Sequence, residues 1–189
     1  MMLKTVLWIV VVLFPVSEIT LAILKRADSQ SAQRQDRGSM RLLWLAIALS
    51  VTSAVGSQWV VSAKLPFPGS LVRVLALTFL VGGLAIRWAS IVTLGRLFTV
   101  DVAIQQGHTL VQLGLYRFVR HPSYSGLLLA FLGLGLFFAN WISLLVLMVP
   151  ITLAVINRIA KEERALLLAL GPSYAAYCAR TKRLFPGVA

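Results

Sequence analysis

The sequence is poor in charge, in cysteine and in histidine. Only 13% of its 189 residues are charged, against about a quarter in an ordinary soluble domain. The chain has one cysteine, Cys178, which excludes an intrachain disulfide and a thiolate metal cluster. The two histidines, His108 and His121, lack the spacing of a metal-binding pair. The sequence therefore predicts neither a disulfide-stabilised secreted domain nor a metal site.

Apolar residues make up 59% of the chain and are concentrated in long runs. This composition excludes intrinsic disorder. The 18 basic residues lie between the apolar runs, as in a membrane protein, so we expect no nucleic-acid partner. We expect residues 1–189 to form a single all-α integral membrane domain with about five transmembrane helices, the last two in a tight hairpin. The predicted spans are Thr5–Leu24, Leu42–Ala63, Leu71–Leu94, Pro122–Ala139 and Trp141–Asn157.

The basic residues near the ends of the spans and between them are distributed unequally between the two sides. Fourteen of them follow the first, third and fifth spans, and three, Lys4, Lys64 and Arg73, lie on the other side. The positive-inside rule then predicts an external N terminus and a cytosolic C terminus. The start of the chain resembles a signal peptide but lacks a small-x-small cleavage site, so we expect a retained helix. The polar segment Gln30–Gly38 is expected to be a flexible cytosolic loop.

The densest polar motif lies where the fourth span begins. Pro122 suits the first position of a helix and disfavours helix at His121, so Arg120 and His121 should lie at the mouth of the span. Free amides there, beside Arg120, favour an anion such as a carboxylate. The ring of Tyr124 could pack on a cation, and Gly126 would let a ligand approach the backbone. The alternative is simple interfacial anchoring by Arg and Tyr.

A second motif follows the fifth span. Arg158 and Glu162 share a helix face, and Glu163 points about 100° away from it. One Glu could accept hydrogen bonds from a ribose or an ammonium group, although a surface ion-pair face is the alternative. Tyr174 and Tyr177 share a face of the next helical segment, and the basic residues around them could bind lipid headgroups.

Two charges, Glu18 and Arg87, fall inside predicted spans. Each lies about six residues from the cytosolic end of its span, and charges in a bilayer are usually paired or functional. We predict that they lie at similar depth and pair, the alternative being that Arg87 reaches the functional site.

Together these segments resemble the isoprenylcysteine carboxyl methyltransferase family, whose bacterial relatives are often labelled phospholipid methyltransferase-like. Five motifs of the family occur in order over about half the chain. They are Leu94–Phe98, His108–Tyr116, Arg120–Gly126, Glu162-Glu163 and Gly171–Pro186. The resemblance divides the chain into three transmembrane helices, residues 1–94, and a catalytic half, residues 95–189, with a cofactor loop, the helix hairpin and a C-terminal tail.

The resemblance implies a methyltransferase that uses S-adenosyl-L-methionine and releases S-adenosyl-L-homocysteine, the cofactor binding from the cytosol. The cofactor-binding residues that it implies are His108, Leu110, Val111, Gly114, Tyr116, His121, Pro122, Tyr124, Gly126, Glu162 and Glu163. The candidate catalytic residues are Arg120, Arg158, Glu163, Tyr177 and Arg180.

The acceptor is left open by these residues. A lipophilic carboxylate such as an isoprenylcysteine, entering from the bilayer, needs a cation, for which Arg158 and Arg180 are candidates. A phospholipid or other amine needs a base, for which Glu163, Tyr177 and His121 are candidates. The alternative from another class is a non-catalytic transport or assembly protein. We expect a monomer in contact with membrane lipids, in a bacterial inner membrane.

Overall fold

The fold is a bundle of membrane-length helices with a short tail packed against one end. The computed structural model describes residues 2–24, 32–36, 38–98, 102–105 and 110–186. The helices are α1 (Met2–Leu24), α2 (Gly38–Ser57), α3 (Gly69–Leu94), α4 (Pro122–Phe137), α5 (Trp141–Leu170) and α6 (Pro172–Arg180). Helices α1, α2, α3 and α5 are long and apolar enough to cross a bilayer, and α4 is a shorter apolar helix. The predicted helical membrane fold, with α4 and α5 as its closing hairpin, is confirmed.

Two local predictions are corrected. The predicted second span ends too late, because α2 stops at Ser57 and Val61–Ala63 forms a separate 3₁₀ turn. The Asn140 side chain donates to the Val60 carbonyl oxygen at 2.9 Å, which satisfies the backbone where the helix has ended. The predicted flexible loop contains strand β1 (Ala32–Asp36), which pairs antiparallel with strand β2 (Val102–Gln105). Composition gave no sign of this pairing because the partner lies far away in the sequence.

Contacts between the connecting segments show which of them share a face of the bundle. The β1–β2 pairing joins the α1–α2 and α3–α4 connections, and a bridge between Val119 and Lys182 joins the α3–α4 connection to the C-terminal tail. At the other end, Lys64 bridges to Asn140, and the Leu65 amide donates to the Ala139 carbonyl oxygen at 3.0 Å. Successive connections between helices therefore lie at opposite ends of the bundle. The β-ribbon formed by β1 and β2 and the C-terminal tail after α6 lie at the same end.

Helices α3 and α4 approach each other at glycines. A Cβ added to Gly126 would lie 2.5 Å from the Arg87 backbone nitrogen, and one added to Gly133 would lie 2.5 Å from that of Leu80. A Cβ at Gly83 would fall 2.6 Å from the Gly126 carbonyl oxygen. Small residues at such contacts let two backbones pack closely, which is how helices associate without a hydrophobic driving force in lipid. This contact holds α4 closely against α3.

The predicted pairing of Glu18 with Arg87 is confirmed. Arg87 Nε and Nη2 donate to the two carboxylate oxygens of Glu18 at 2.5 and 2.6 Å, which ties α1 to α3. The same guanidinium donates through Nη1 to the Ser123 hydroxyl at 3.0 Å and to its carbonyl oxygen at 3.3 Å. Because Ser123 lies in the first turn of α4, the intramembrane ion pair also holds the start of that helix.

Candidate functional site

The beginning of α4 is enclosed by the C-terminal tail. His121 precedes the helix with φ −126° and ψ 55°, and Pro122 occupies its first turn, as predicted. The backbone amides of Arg120 and His121 donate to the carbonyl oxygens of Lys182 and Arg183 at 2.8 and 3.0 Å. The tail therefore runs beside the α3–α4 connection and places its basic residues next to His121.

The groups of the predicted anion site at the α4 N terminus have partners within the chain. The amides of Tyr124 and Ser125 donate to the His121 carbonyl oxygen at 3.0 and 3.1 Å, as in an ordinary first turn. Arg120 Nε donates to Glu163 Oε1 at 2.9 Å, and its Nη1 donates to the carbonyl oxygens of Cys178, at 2.9 Å, and of Thr181. Arg120 thus joins α5 to the end of α6, which is a positioning role.

Glu163 lies in an electropositive environment. Its carboxylate accepts from Arg120 and from Arg183, whose Nε lies 3.0 Å from Oε2, and the His121 Nε2 lies 3.3 Å from Oε1. Helix α5 is about 45 Å long, against a bilayer core of about 30 Å, and its apolar run ends near Asn157, so Glu163 lies outside the bilayer core. Burial opposes ionisation, but the hydrogen bonds from His121, Arg183 and Arg120 prevail and lower the pKa of Glu163 to about 2.

Tyr124 connects Glu162 with Arg158. The Tyr124 hydroxyl donates to Glu162 Oε2 at 2.9 Å and accepts from Arg158 Nε at 2.7 Å. Arg158 is 2% exposed, and its Nη1 donates to the Ser39 hydroxyl at 3.2 Å. The other oxygen of Glu162 lies 3.9 Å from His121 Nδ1. A hydrogen-bonded chain therefore runs from the start of α2 through α4 to the polar end of α5.

The three tyrosines near the tail have different surroundings. Tyr177 donates to the carbonyl oxygens of Tyr116, at 2.6 Å, and Val119, at 3.4 Å, so it fastens α6 to the α3–α4 connection. Burial raises the pKa of Tyr177 to about 12 and that of Tyr116 further still. The Tyr174 hydroxyl is also buried, but it has no hydrogen-bond partner among the residues that the structure describes.

The remaining predicted site residues are not among the partners in the hydrogen bonds given above. Gly114 has a φ of 56°, which L side chains rarely adopt, and it begins the 3₁₀ turn Gly114–Arg117. The close neighbour of Gly126 is the backbone of α3, so helix packing accounts for this glycine. Arg180 is exposed and donates to Gln112 Oε1 at 3.3 Å. Leu110 and Val111 are half-buried, and His108 lies outside the described residues.

Sequence analysis did not identify Ser39, Ser123 or Arg183 as part of this cluster. Ser39 lies 119 positions from Arg158 in the chain, and nothing in its sequence context distinguishes it from other serines at a helix start. Arg183 was grouped with the lipid-binding basic residues. Its contact with Glu163 depends on the course of the tail, which only the fold provides.

Comparison with known proteins places the chain beside one family. Residues 74–168 match the model of the isoprenylcysteine carboxyl methyltransferase (ICMT) family. The chain is 34% identical over 114 residues to protein-S-isoprenylcysteine O-methyltransferase B of Arabidopsis thaliana, covering 59% of this chain and 58% of that protein. It is 32% identical over 147 residues to protein-S-isoprenylcysteine O-methyltransferase of Schizosaccharomyces pombe, covering 71% of this chain and 62% of that one.

A solved structure shares the fold. It is the eukaryotic intramembrane Ras methyltransferase ICMT, which matches with a TM-score of 0.61 and 21% identity. The match covers 81% of this chain and 54% of that chain. This chain therefore spans about six tenths of the length of the curated relatives above and about half of the solved structure.

Proposed function

Because this chain belongs to the isoprenylcysteine carboxyl methyltransferase family, we propose that it methylates the carboxylate of a lipophilic, isoprenylcysteine-like acceptor, using S-adenosyl-L-methionine. The observation that carries the proposal is the contact between Arg158 and Tyr124, where a buried cation from α5 meets the aromatic first turn of α4. Both residues lie within the matched family segment. The hydrogen-bonded chain around them brings acidic, basic and aromatic groups to the edge of an apolar helix bundle.

The chemistry of these side chains fits the cofactor. When bound, S-adenosyl-L-methionine supplies an electrophilic methyl group on a sulfonium ion. The half-exposed Glu162 carboxylate suits its ammonium group or its ribose hydroxyls, and the Tyr124 ring suits the cationic sulfur. The backbone of residues 110–116 would complete the adenosine pocket, for which the family motif also predicts His108. In this proposal residues 95–189 bind the cofactor, while residues 1–94 form a scaffold that contributes Ser39 and Arg87.

A carboxylate acceptor agrees better with the contacts than an amine does. A carboxylate is already ionised and needs a positioned cation, which Arg158 supplies at the junction of the bundle and the polar cluster. Arg180 is exposed on α6 and bonded to Gln112, so we favour Arg158 over it. Glu163, with a pKa near 2, and Tyr177, with one near 12, are both poor bases at neutral pH.

The site lies at the edge of the membrane because, in this proposal, its two substrates come from different phases. The acceptor would enter sideways from the lipid towards Arg158, while the cofactor would enter from water near Glu162. In our proposal the face that carries the β-ribbon and the tail is cytosolic, since fourteen basic residues lie on it against three on the other. The N terminus is then external, and the chain acts as a monomer. We place it in a bacterial inner membrane, whereas the relatives above come from a plant and fission yeast.

Methyl-labelled cofactor tests the proposal directly. Purified protein is incubated with labelled S-adenosyl-L-methionine and N-acetyl-S-farnesylcysteine, and the product is treated with alkali. Release of the label as volatile methanol identifies a carboxyl methyl ester. Label that survives alkali when host lipids are the acceptor means an amine acceptor, with His121 as the base to examine. Absence of S-adenosyl-L-homocysteine binding would leave a non-catalytic transport or assembly protein.

Substitution of Arg158 separates its role from a general loss of charge. We expect Arg158→Gln to lower kcat/KM for the acceptor by about tenfold or more, the value of a hydrogen bond to a charged group, with S-adenosyl-L-homocysteine affinity within about twofold. The matched control is Arg164→Gln, an exposed arginine on the same helix, which should retain activity. Equal loss in both variants would contradict the assignment.

A further inference from the structure

Tyr174 carries a buried hydroxyl that the described residues leave without a hydrogen-bond partner. The residue is 2% exposed, and its hydroxyl oxygen has no hydrogen-bond partner within the described part of the chain. A buried polar group without a partner costs free energy, and native proteins rarely retain one. Its neighbour on α6, Tyr177, shows the ordinary arrangement, since that hydroxyl donates to two carbonyl oxygens. This hydroxyl therefore requires a hydrogen-bond partner other than the residues that the structure describes.

The surroundings of Tyr174 indicate what kind of partner it is. The pKa of the phenol is raised by burial and by the negative charges of Glu163 and Glu162, so the hydroxyl remains protonated and acts as a donor. The positive charge of Arg120 acts to lower this pKa. Tyr174 is on the same face of α6 as Tyr177, whose hydroxyl contacts the α3–α4 connection, and the two ring centroids lie 6.1 Å apart, so the buried Tyr174 ring also points into the protein. A protonated donor among these residues needs an acceptor.

We propose that the Tyr174 hydroxyl donates a hydrogen bond to the carboxylate of the amino-acid part of the bound cofactor. This inference rests on the proposed function, which places S-adenosyl-L-methionine in the cluster of His121, Tyr124 and Glu162. The amino-acid end of that molecule is a zwitterion, so its ammonium group suits Glu162 and its carboxylate suits a nearby donor. Arg120, which the sequence predicted for the carboxylate, is bonded to Glu163 and two carbonyl oxygens, and the buried phenol supplies a donor in its place.

The test is Tyr174→Phe, which deletes the hydroxyl and keeps the ring. Two quantities are measured on full-length protein in detergent: the midpoint of thermal unfolding without ligand and the Kd of S-adenosyl-L-homocysteine by calorimetry. Since the hydroxyl has no hydrogen-bond partner in the described ranges of the chain, we expect the unliganded midpoint to stay unchanged or to rise. We expect the Kd to increase about tenfold, the value of one hydrogen bond to a charged group.

A second ligand locates the contact. 5′-Methylthioadenosine keeps the nucleoside and the thioether but lacks the amino-acid carboxylate, so its Kd should be the same for the wild type and Tyr174→Phe. The matched control is Tyr177→Phe, which loses a bond to the Tyr116 carbonyl oxygen and should lower the unliganded midpoint. Any effect of that control on binding should be equal for the two ligands.

Three results would overturn the inference. They are an S-adenosyl-L-homocysteine affinity within twofold of the wild type, an equal loss for both ligands, and a fall in the unliganded midpoint as large as that of Tyr177→Phe. All three presuppose a wild type that binds S-adenosyl-L-homocysteine. If the wild type does not bind it, the proposed function fails, and this inference fails with it.

Discussion

The contact between α3 and α4 makes a strong prediction, because two adjacent glycines have opposite surroundings. A Cβ at Gly83 would fall 2.6 Å from the Gly126 carbonyl oxygen and under 3.0 Å from the backbone of Ala130. A Cβ at Gly82 would have nothing within 4 Å. Gly83→Ala therefore forces two helix backbones apart, whereas Gly82→Ala fills space at the exposed surface of the same helix turn.

The size of the effect follows from two terms. Overpacking costs about 1–3 kcal/mol, and it falls on backbone atoms, which cannot rotate away as a side chain can. Replacing glycine by alanine in a helix returns up to about 1 kcal/mol. Because the clash is with backbone, the upper end of the first range applies, and we expect Gly83→Ala to lower the free energy of unfolding by about 2 kcal/mol. Gly82→Ala should leave it unchanged or raise it by up to about 1 kcal/mol.

Unfolding of both variants in detergent, followed by circular dichroism, measures this difference. Gly83→Ala should also weaken the bonds from Arg87 to Ser123, because they cross the same interface, and so should weaken binding of S-adenosyl-L-homocysteine. Gly82→Ala should bind as the wild type does. Equal shifts in unfolding for the two variants would refute the close-packing argument.

Two further predictions concern charges. Glu18→Gln and Arg87→Met should each destabilise the protein by about 3 kcal/mol or more, since each leaves a buried charged partner unpaired. The double variant should lose much less stability than the sum of the two single variants. Additive losses in a double-mutant cycle would show that the residues are not coupled. The pKa of Glu163, near 2, lies below its ordinary value of 4.5, so its charged contacts stabilise the fold above about pH 5 and are lost as the pH falls towards 2. The stability difference between the wild type and Glu163→Gln should therefore be constant near neutral pH and shrink below pH 5 in acid-titrated unfolding, and a difference that does not change down to pH 2 would be inconsistent with this contact.

Features that depend on local composition were predicted from the sequence. The spans follow from runs of apolar residues that match the bilayer thickness, and the predicted ends at Leu24, Leu94 and Pro122 agree with the ends of the helices. The pairing of Glu18 with Arg87 was predicted from their similar depth. The length of an apolar run and the depth of a charge within it both depend on residues that are close together in the sequence, so the sequence predicts them.

Apart from the Glu18–Arg87 pair, the contacts between polar groups that are far apart in the sequence were not predicted. Arg120 was expected to bind a ligand anion, but the tail supplies the carbonyl oxygens of Cys178 and Thr181 as its partners. Tyr177 was expected to act in catalysis, and its hydroxyl is bonded to the Tyr116 carbonyl oxygen. The β-ribbon was missed because its strands pair across a long separation in the chain.

The sequence by itself determined that this chain is a helical membrane protein, where its spans lie, and which motifs relate it to a family of methyltransferases. Hydropathy and charge asymmetry are sums over nearby residues, and folding does not change them. The tertiary structure decided that Arg120 and Tyr177 hold the tail and that Arg158 contacts Tyr124. It also decided that the Tyr174 hydroxyl is buried without a hydrogen-bond partner among the residues described. Hydrogen bonds act only over about 3 Å, so the role of a polar side chain is set by the distant segments that the fold brings within that distance.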